Sequence, residues 1–397
     1  MGRLKRYKGK KKPKLSPQPN WKTATTPIPV PGITLKRILR GHKDTITQIA
    51  WSPDGRFLAT PSVDKTIRIW DVARGECVAV LEGHRSGVTC VAWSPDNKYI
   101  ASGSHDGTIR YWNISLKKCE KSPIRFPDDS LLDISWTPSG KHLICSTATP
   151  KNNPIATEGW SWNYQKGKPK ELSQLTITLQ EFALSPDGKL IASAGYHPDI
   201  GYLDILKSIN GESIITLDKS SEWRNSYDVT WAPNGRIIAT GSQDGAVYLW
   251  DPHTGELTHI LEGHTENEVD SVSFNYNGQI LASHAEDRTI RFWRCDKWEA
   301  IAILYEQGPN KRYHSSLAFN PHKNILATLD QKQRSILIWD LDINILLGQT
   351  PIDSVRYTTA KLVLVGDSGV GKTGLGWRLA HGKFKEHSST HGQQFWV

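Results

Sequence analysis

The residues best suited to chemistry stand near the end of the chain and follow the pattern GxxxxGKT: Gly366, Asp367, Ser368, Gly369, Val370, Gly371, Lys372 and Thr373. Glycines in such a run let backbone amides converge on phosphate oxygens without interference from a Cβ atom. The lysine reaches the outer phosphates, and the threonine hydroxyl is a ligand for Mg2+. The pattern therefore predicts a nucleotide phosphate-binding loop with a bound Mg2+.

A loop of this kind requires a strand before it and a helix after it, because the helix N-terminus directs free amides at the phosphates. Residues 361–365, KLVLV, form a short apolar run that predicts a buried strand. Residues 374–384 can form the helix, although three glycines lower its stability. The order strand, loop, helix is therefore present.

The segment LVLVGDSGVGKT resembles the first nucleotide motif of Rab-like and Ras-like small GTPases. The later run STHGQQF is similar to the switch I segment of that family, with His391 in place of its usual apolar residue. The resemblance implies GTP or GDP as the nucleotide and Mg2+ ligation by Thr373 and Thr390. ATP stays open, because the phosphate loop does not read the base.

No Asp-x-x-Gly or Asn-Lys-x-Asp pattern follows Thr390. Residues 360–397 are therefore interpreted as an incomplete α/β P-loop GTPase domain, cut from a longer protein or from a truncated reading frame. We expect GTP hydrolysis only where the rest of that domain is present, and we assign no catalytic residue in this chain.

Most of the chain is built from a repeated turn, SPDG or a variant of it. The copies start 42 to 48 residues apart, at Ser52, Ser94, Thr137, Ser185, Ala232, Asn275 and Asn320. Apolar runs flank each turn and predict antiparallel strands. The third run of each copy ends in Trp70-Asp71, Trp112-Asn113, Trp162-Asn163, Leu203-Asp204, Trp250-Asp251, Trp293-Arg294 or Trp339-Asp340.

Three copies also carry a Gly-His pair, with an Asp 22 or 23 residues after the His: His42 with Asp64, His84 with Asp106, and His264 with Asp287. These features resemble the WD-repeat family. The resemblance implies a seven-bladed β-propeller over residues 33–348. It also implies that each His joins Asp, Ser or Thr, and Trp in a buried hydrogen-bond network, which explains the histidines without a metal.

The ends and the middle of this repeat region carry further expectations. Residues 33–39 match the fourth-strand ending of the next copy, so we expect them to complete the last blade. The third copy has a longer loop without the matching Asp, and the fourth has Tyr196-His197-Pro198-Asp199 in that place and Leu203 instead of Trp, so we expect both to keep their strands and lose the internal network. Six residues are placed on loops at one rim as candidate partner contacts: Trp160, Trp223, Arg224, Lys311, Arg312 and Tyr313.

Charge and composition bound the remaining possibilities. Residues 1–22 contain nine Lys and Arg and no acid, which equals the net charge of +9 of the whole chain. We expect residues 1–32 to be a disordered tail, either merely solvated or able to bind nucleic acid, anionic lipid or an acidic protein by charge. No apolar run approaches the length of a membrane span, and the tail lacks the apolar core of a secretory signal. Five cysteines without C-x-x-C spacing indicate no disulfide framework, so a cytoplasmic location is expected.

The predicted fold class is therefore all-β, a seven-bladed propeller followed by the incomplete P-loop domain. The predicted segments are a tail (1–32), a propeller (33–348), a linker (349–359) and the GTPase-like segment (360–397). We expect a protein-interaction scaffold linked to a GTP-binding regulatory domain, which acts as a GTPase switch in the full-length parent. The alternative is a scaffold alone, with a nucleotide-binding fragment that does not function.

Overall fold

A computed structural model describes most of the repeat region. The described residues are 30–120, 123–126, 130–148, 157–164, 168–172, 181–195, 202–207, 212–216, 226–265, 268–305, 317–330 and 332–349. All of them lie in one compact unit of the chain. The basic tail up to residue 29, and the linker and GTPase-like segment from residue 350 onward, lie outside the described residues.

The described chain is almost entirely β-structure. Its first half contains β1 (Ile33–Arg40), β2 (Ala50–Trp51), β3 (Phe57–Pro61), β4 (Thr66–Asp71), β5 (Glu76–Glu82), β6 (Val88–Trp93), β7 (Tyr99–Ser104), β8 (Thr108–Asn113), β9 (Lys118–Cys119), β10 (Ile124–Arg125), β11 (Ser130–Trp136), β12 (His142–Ala148), β13 (Thr157–Asn163) and β14 (Lys170–Glu171). Its second half contains β15 (Glu181–Leu184), β16 (Leu190–Gly195), β17 (Tyr202–Lys207), β18 (Ser213–Thr216), β19 (Ser226–Trp231), β20 (Ile238–Ser242), β21 (Ala246–Trp250), β22 (Leu257–Glu262), β23 (Val269–Phe274), β24 (Ile280–Ala285), β25 (Thr289–Arg294), β26 (Glu299–Tyr305), β27 (Leu317–Phe319), β28 (Ile325–Leu329) and β29 (Ser335–Leu341).

These strands form seven antiparallel sheets, which we number in chain order. The first to sixth sheets are β2–β5, β6–β10, β11–β14, β15–β18, β19–β22 and β23–β26, and the seventh is β27–β29 with β1. In the first and the third to sixth sheets the strands follow one another as a meander, and β27–β29 do so in the seventh. The second sheet has both β9 and β10 paired with β8. The predicted antiparallel meanders are confirmed.

The first strands of successive sheets contact one another in a closed cycle, in which β27 of the seventh sheet contacts β2 of the first. Tryptophan side chains bind the sheets together, because the indole nitrogen of Trp93 donates to the Ala50 carbonyl at 3.2 Å and that of Trp231 to the Ala183 carbonyl at 2.9 Å. At the closing junction Trp51 donates to the Ala318 carbonyl at 3.0 Å. The sheets therefore form a β-propeller, as expected.

The N-terminal strand completes the seventh sheet. Strand β1 pairs antiparallel with β29 along its whole length, with Ile33 opposite Leu341 and Arg40 opposite Ser335. The expectation for residues 33–39 is confirmed, and the ring is closed by strands from both ends of the repeat region. After β29 comes a short helix, α1 (Ile343–Leu346), capped by the Asp342 side chain. In the described part of the chain, no helix is long and apolar enough to cross a membrane.

The meander defines two faces of the ring. Turns between the first and second strands, and between the third and fourth, lie at one face, which we call the turn face. Turns between the second and third strands, and the connections to the next sheet, lie at the opposite face, which we call the Gly-His face. Apolar side chains fill the space between sheets; Ile67 and Ile69 of the first sheet, for example, pack with Val91 and Ile100 of the second. Burial of each such side chain contributes about 1.5–3 kcal/mol.

Two placements from the sequence are wrong. In six sheets, the residue six positions after the start of the repeated turn pairs with a Trp on the third strand. In the first sheet, for example, Leu58 lies six positions after Ser52 and pairs with Trp70. In the fourth sheet that position is Ile191, and its partner is Leu206. The third-strand ending there is Leu206-Lys207, three residues later than the predicted Leu203-Asp204. This copy lacks the Trp of the motif, so only the pairing of the second and third strands shows which residue takes the place of the Trp.

Trp160 is the second misplaced residue, because it lies within strand β13 and not on a loop. It pairs with Cys145, and its half-buried ring packs edge-on against Phe126 with centroids 5.3 Å apart. Its indole nitrogen donates to Thr147 at 3.2 Å. The strand continues past the predicted loop because its aromatic side chains add to the core between the second and third sheets.

Candidate interaction site

Histidine, aspartate and hydroxyl side chains form a buried hydrogen-bond network, and three sheets each contain a copy of it. In the second sheet His84 Nδ1 lies 3.0 Å from the Asp106 carboxylate, and His84 Nε2 lies 2.8 Å from Ser102 Oγ. The carboxylate accepts, so Nδ1 carries the proton and Nε2 accepts from the Ser102 hydroxyl. Trp112 Nε1 then donates to the same Ser102 oxygen at 2.8 Å.

The first and sixth sheets repeat this geometry. Thr60, His42 and Asp64 form the network with Trp70, and Ser283, His264 and Asp287 form it with Trp293. The predicted role of the three His and Asp pairs is confirmed. The Ser or Thr and the Trp are the other members, as the resemblance implied.

A hydroxyl, an imidazole and a carboxylate in this order also describe a hydrolase triad. Burial excludes that chemistry here, because Ser102, Thr60 and Ser283 are 0% exposed and no substrate carbonyl can reach them. Each hydroxyl oxygen already accepts an indole N–H as well. The networks therefore stabilise the fold and carry no hydrolytic site.

The charges in these networks follow from burial and hydrogen bonding. Burial lowers the pKa of His84, and Asp106 only partly offsets this. Burial opposes ionisation of Asp106, but hydrogen bonds from Thr108, the Arg85 amide and His84 outweigh it and hold the pKa of Asp106 at about 2. A neutral imidazole beside a carboxylate is therefore the stable state at neutral pH.

The glycine before each His lets the network form. Gly83 has φ +150°, and a Cβ there would lie 2.9 Å from Arg110 Nη1 and 3.4 Å from Trp112 Cη2. Gly41 and Gly263 sit equally close to Arg and Trp side chains. The Trp and Arg side chains that pack against this position therefore require a glycine before the His.

The third and fourth sheets keep their strands and lose this network, as expected. Cys145 occupies the register position of Thr60 in the third sheet, and Trp162 donates instead to the Tyr111 hydroxyl of the second sheet at 3.0 Å. In the fourth sheet Ser193 has that position, and among the described residues its hydroxyl has no hydrogen-bond partner. The fifth sheet keeps part of the network, because Trp250 donates to Thr240 at 3.1 Å and the Tyr248 hydroxyl donates to Asp244 at 2.6 Å.

The sequence reasoning missed a second group of polar residues, which lines the central channel of the ring. Asp133, Glu181 and Asp228 come from the first strands of the third, fourth and fifth sheets, and all three line a cavity of about 350 Å³. Each stands three residues before the residue that ends its strand, Trp136, Leu184 or Trp231. That constant spacing is the feature of the sequence by which these acidic residues could have been found.

These carboxyl groups fasten neighbouring sheets. Asp228 accepts from the backbone amide of Val272 in the next sheet at 2.8 Å and from Val229 at 2.7 Å. At the same position of the first sheet, Gln48 accepts from the Val91 amide at 2.7 Å. The side chain at this position therefore links one first strand to the next across a sheet junction.

Ionisation of the channel carboxyls is unfavourable. Burial raises the pKa of Asp133 to about 7 and that of Asp228 to about 7. Burial, followed by the charges of Asp228 and Asp133, raises the pKa of Glu181, whose protonated carboxyl donates to Asp228. No group of three His, Cys, Asp or Glu in the described part of the chain has a geometry that could hold a metal ion.

The other predicted sites lie outside the described residues. This applies to the phosphate loop Gly366 to Thr373, to Thr390, and to the rim candidates Trp223, Arg224, Lys311, Arg312 and Tyr313. Trp160 is the one rim candidate that the structure describes. Its ring is packed between sheets, so it is a core residue at the position where a loop contact was expected.

Comparison with known proteins supports the fold. The family model for the WD domain, G-beta repeat matches residues 33–71, 75–113, 211–251 and 255–294. A WD repeat-containing protein 26 homolog from Arabidopsis thaliana is 31% identical over 271 residues, 67% of this chain and 43% of that relative. THO complex subunit 3 from Arabidopsis thaliana is 26% identical over 294 residues, 73% of each chain. Nuclear distribution protein PAC1 from Arthroderma otae is 27% identical over 324 residues, 74% of this chain and 68% of that relative.

These matches and the ring of sheets support a WD-repeat β-propeller in the repeat region. The chain spans less than half the length of the WD repeat-containing protein 26 homolog. The matched family segments lie in the repeat region, and none of them includes the phosphate-loop pattern at residues 366–373.

Proposed function

We propose that the chain is a protein-interaction scaffold, with its propeller as the rigid binding surface. The observation that carries this proposal is that the groups able to do acid, base or nucleophilic chemistry in the described networks are buried and saturated by internal hydrogen bonds. WD propellers generally mediate protein–protein contacts, and THO complex subunit 3 is by its name part of a complex. Recognition on such a ring is a property of the loops at its faces.

Purification of the tagged chain from its native cell, followed by quantitative mass spectrometry, tests this function. We expect proteins that are enriched over a tag-only control and that bind again as purified components. Recovery of the chain with no enriched protein, at several salt concentrations, would contradict the scaffold.

The finer architecture belongs to the same proposal: each of the seven sheets is one blade of a single closed ring. The hydrogen bond from Trp51 to Ala318 and the pairing of β1 with β29 support it. Deleting residues 33–39 should then leave one edge of β29 unpaired and destabilise every sheet together. A single cooperative denaturant transition that keeps its midpoint after the deletion would refute a closed ring.

The rim contacts Trp223, Arg224, Lys311, Arg312 and Tyr313 remain proposed partner anchors, because aromatic and Arg side chains are favoured at interfaces. Replacing Trp223 and Arg224 together with Ala should reduce the recovery of at least one enriched protein. If every partner were retained at wild-type levels, this assignment would be wrong. We place the protein in the cytoplasm and allow the basic tail a secondary role in binding nucleic acid or anionic surfaces by charge.

A second candidate function is GTP binding through Gly366 to Thr373, with Mg2+ held by Thr373 and Thr390. The observation that favours it is the sequence order of apolar strand, glycine-rich loop and GKT. Titration with fluorescent GTP and ATP analogues in Mg2+ tests it, with Lys372→Ala as the probe variant and Lys361→Ala as the matched control outside the motif. Binding of GTP that only Lys372→Ala removes supports a regulatory GTP-binding segment, whereas no binding, or binding unaffected by Lys372→Ala, supports the scaffold alone.

A further inference from the structure

Exposed basic residues form an arc on one part of the Gly-His face. They stand in the connecting segments of the seventh, first and second sheets, and all five are exposed: Lys332, Arg334, Lys43, Lys65 and Arg85. Arg334 already has one carboxylate partner, because its Nη2 lies 3.6 Å from the half-exposed Asp44 of the segment that holds Lys43. We call this set the basic arc. Backbone hydrogen bonds join its segments directly, from the Ile46 amide to Gln333 at 2.7 Å, from Val63 to Thr45 at 2.8 Å and from Val88 to Ser62 at 3.0 Å.

The internal networks hold this arc in place. The Asp64 carboxylate accepts the backbone amide of Lys43 at 3.0 Å, and the Asp106 carboxylate accepts that of Arg85 at 2.8 Å. The residue after each network His is thus fixed by the same carboxylate that binds the His. Two cations are therefore presented on a preorganised backbone, which lowers the entropy cost of binding.

A groove opens in the middle of the arc. Its volume is about 290 Å³, and its lining includes Lys43, Lys65, Arg68 and the half-exposed apolar side chain of Val80. Glu82, on the outermost strand of the first sheet, is the exposed acid at this groove. The groove can therefore accept a carboxylate on its basic side together with a neighbouring apolar side chain.

The described turns of the fifth and sixth sheets on the same face are less basic than the arc. They carry the exposed Asp244 and the half-buried Glu286 and Arg288. A long polyanion such as a nucleic acid would extend from the arc toward Asp244 and Glu286, where like charges repel. A short acidic segment fits within the arc alone.

We propose that the basic arc binds an acidic, leucine-containing segment of a partner protein. This proposal rests on the scaffold function above and names the chemistry of one partner. Charge complementarity of this kind determines both the rate of association and the choice of partner.

Fluorescence anisotropy on the full chain tests the proposal. The probe is a labelled peptide rich in Glu and Leu, compared with the same peptide in which Gln replaces Glu and with a single-stranded oligonucleotide of equal charge. The arc variant is Lys43→Glu, Lys65→Glu and Arg85→Glu together. The matched control reverses three exposed lysines on the turn face, Lys98→Glu, Lys141→Glu and Lys189→Glu, so both variants have the same net charge and the same basic tail.

We expect the arc variant to bind the acidic peptide at least about tenfold more weakly and the control to change affinity by less than about twofold. Equal losses in the two variants, or equal binding of the Gln peptide, would overturn the proposal. A loss confined to the oligonucleotide would overturn it in favour of a nucleic-acid site. Circular dichroism checks folding, and Lys→Gln and Arg→Gln versions replace any variant that unfolds.

The same variants separate this proposal from the scaffold function. If partners co-purify with wild type and equally with the arc variant, the arc is wrong and the scaffold stands. If wild type retains no partner at all, the scaffold function itself fails.

Discussion

The two halves of the ring are stabilised in different ways. The sixth, first and second sheets are held internally by neutral His and ionised Asp, bound to a buried Ser or Thr and a Trp. The third, fourth and fifth sheets instead bring Asp133, Glu181 and Asp228 together at the central channel. In the His networks, hydrogen bonds stabilise the ionised carboxylate, whereas burial at the central channel makes ionisation of the carboxyl groups unfavourable. The comparison shows that a meander sheet forms without the His network, because apolar packing between sheets supplies the main driving force.

The difference has a consequence for surface recognition. In the network half, a carboxylate binds both the His ring and the backbone amide of the next residue, and so fixes a segment of the Gly-His face. In the third and fourth sheets no such carboxylate is present among the described residues. The network is therefore best understood as a device that orders connecting segments on an already stable sheet.

The largest expected effect comes from removing a network imidazole. His84→Ala removes one hydrogen bond each from Asp106 and Ser102 and leaves a cavity in the buried site, which together cost about 3–5 kcal/mol of unfolding free energy. His253→Ala on an exposed turn is the control and should change stability by less than about 0.5 kcal/mol. Urea denaturation followed by tryptophan fluorescence measures both, and equal midpoints for the two variants would break the comparison.

A matched pair of serines tests the network with less disturbance. Ser102 and Ser193 occupy the same register position and are both buried, but only Ser102 has His and Trp partners. Ser102→Ala should cost about 2–3 kcal/mol because two buried nitrogens lose their partner, whereas Ser193→Ala should be neutral or slightly stabilising. Similar losses at both positions in the same denaturation experiment would mean that the network adds nothing to the sheet.

The channel half should respond to charge removal in the opposite direction. Glu181→Gln keeps a donor toward Asp228 and cannot ionise, so it should stabilise the fold by about 1 kcal/mol at pH 8. The gain should be smaller at pH 5 than at pH 8, because the raised pKa of Glu181 makes its carboxyl group increasingly unfavourable in the fold as pH rises. Glu76→Gln on an exposed strand end is the control; a destabilising Glu181→Gln at pH 8 would show that the carboxylate is required there.

The smallest effect, a few degrees in the unfolding midpoint, is the pH dependence of the wild-type chain. The lowered pKa values of Asp64, Asp106 and Asp287, each about 2, mean that their stabilisation is present above about pH 4 and is lost as pH falls toward 2. The lowered pKa of the buried histidines also reduces stability as pH falls below about 6.5.

The channel carboxyl groups change the stability of the fold with pH in the opposite direction. Asp133 and Asp228, with pKa values raised from 3.8 to about 7, favour the folded state fully below about pH 4, and that contribution is lost as pH rises from about 4 through 7. In thermal melts between pH 3 and 9, Asp133→Asn should therefore reduce the loss of stability between about pH 4 and pH 7 and leave the loss below pH 4 unchanged. A variant that changed only the loss below pH 4 would contradict the assignment.

Much of the fold could be predicted from local chemistry. The repeated turn requires a backbone that reverses direction, so its copies located the antiparallel strands. The shared ending of residues 33–39 and the next copy located the strand that completes the seventh sheet. The spacing between His and Asp located the networks, because both ends of each network lie within one meander.

Other features could not be predicted in this way. The misplacement of Leu203 arose because a decayed motif has no sequence marker, whereas Leu206 is identified by its hydrogen-bonded partner Ile191. Trp160 looked like a loop residue because its segment lacks turn signals at the usual spacing. The phosphate loop and the paired threonines stay predictions that depend on sequence pattern alone.

The sequence by itself determined the meanders, their number of repeated turns and the membership of the three His networks, because each depends on residues close together along one copy of the repeat. Only the tertiary structure decided the channel cluster and the basic arc. Asp133, Glu181 and Asp228 come from three different sheets, and Arg334, Lys43 and Arg85 from three others, so closure of the ring alone brings each set together. Their charges interact through space, and a linear sequence does not contain those distances.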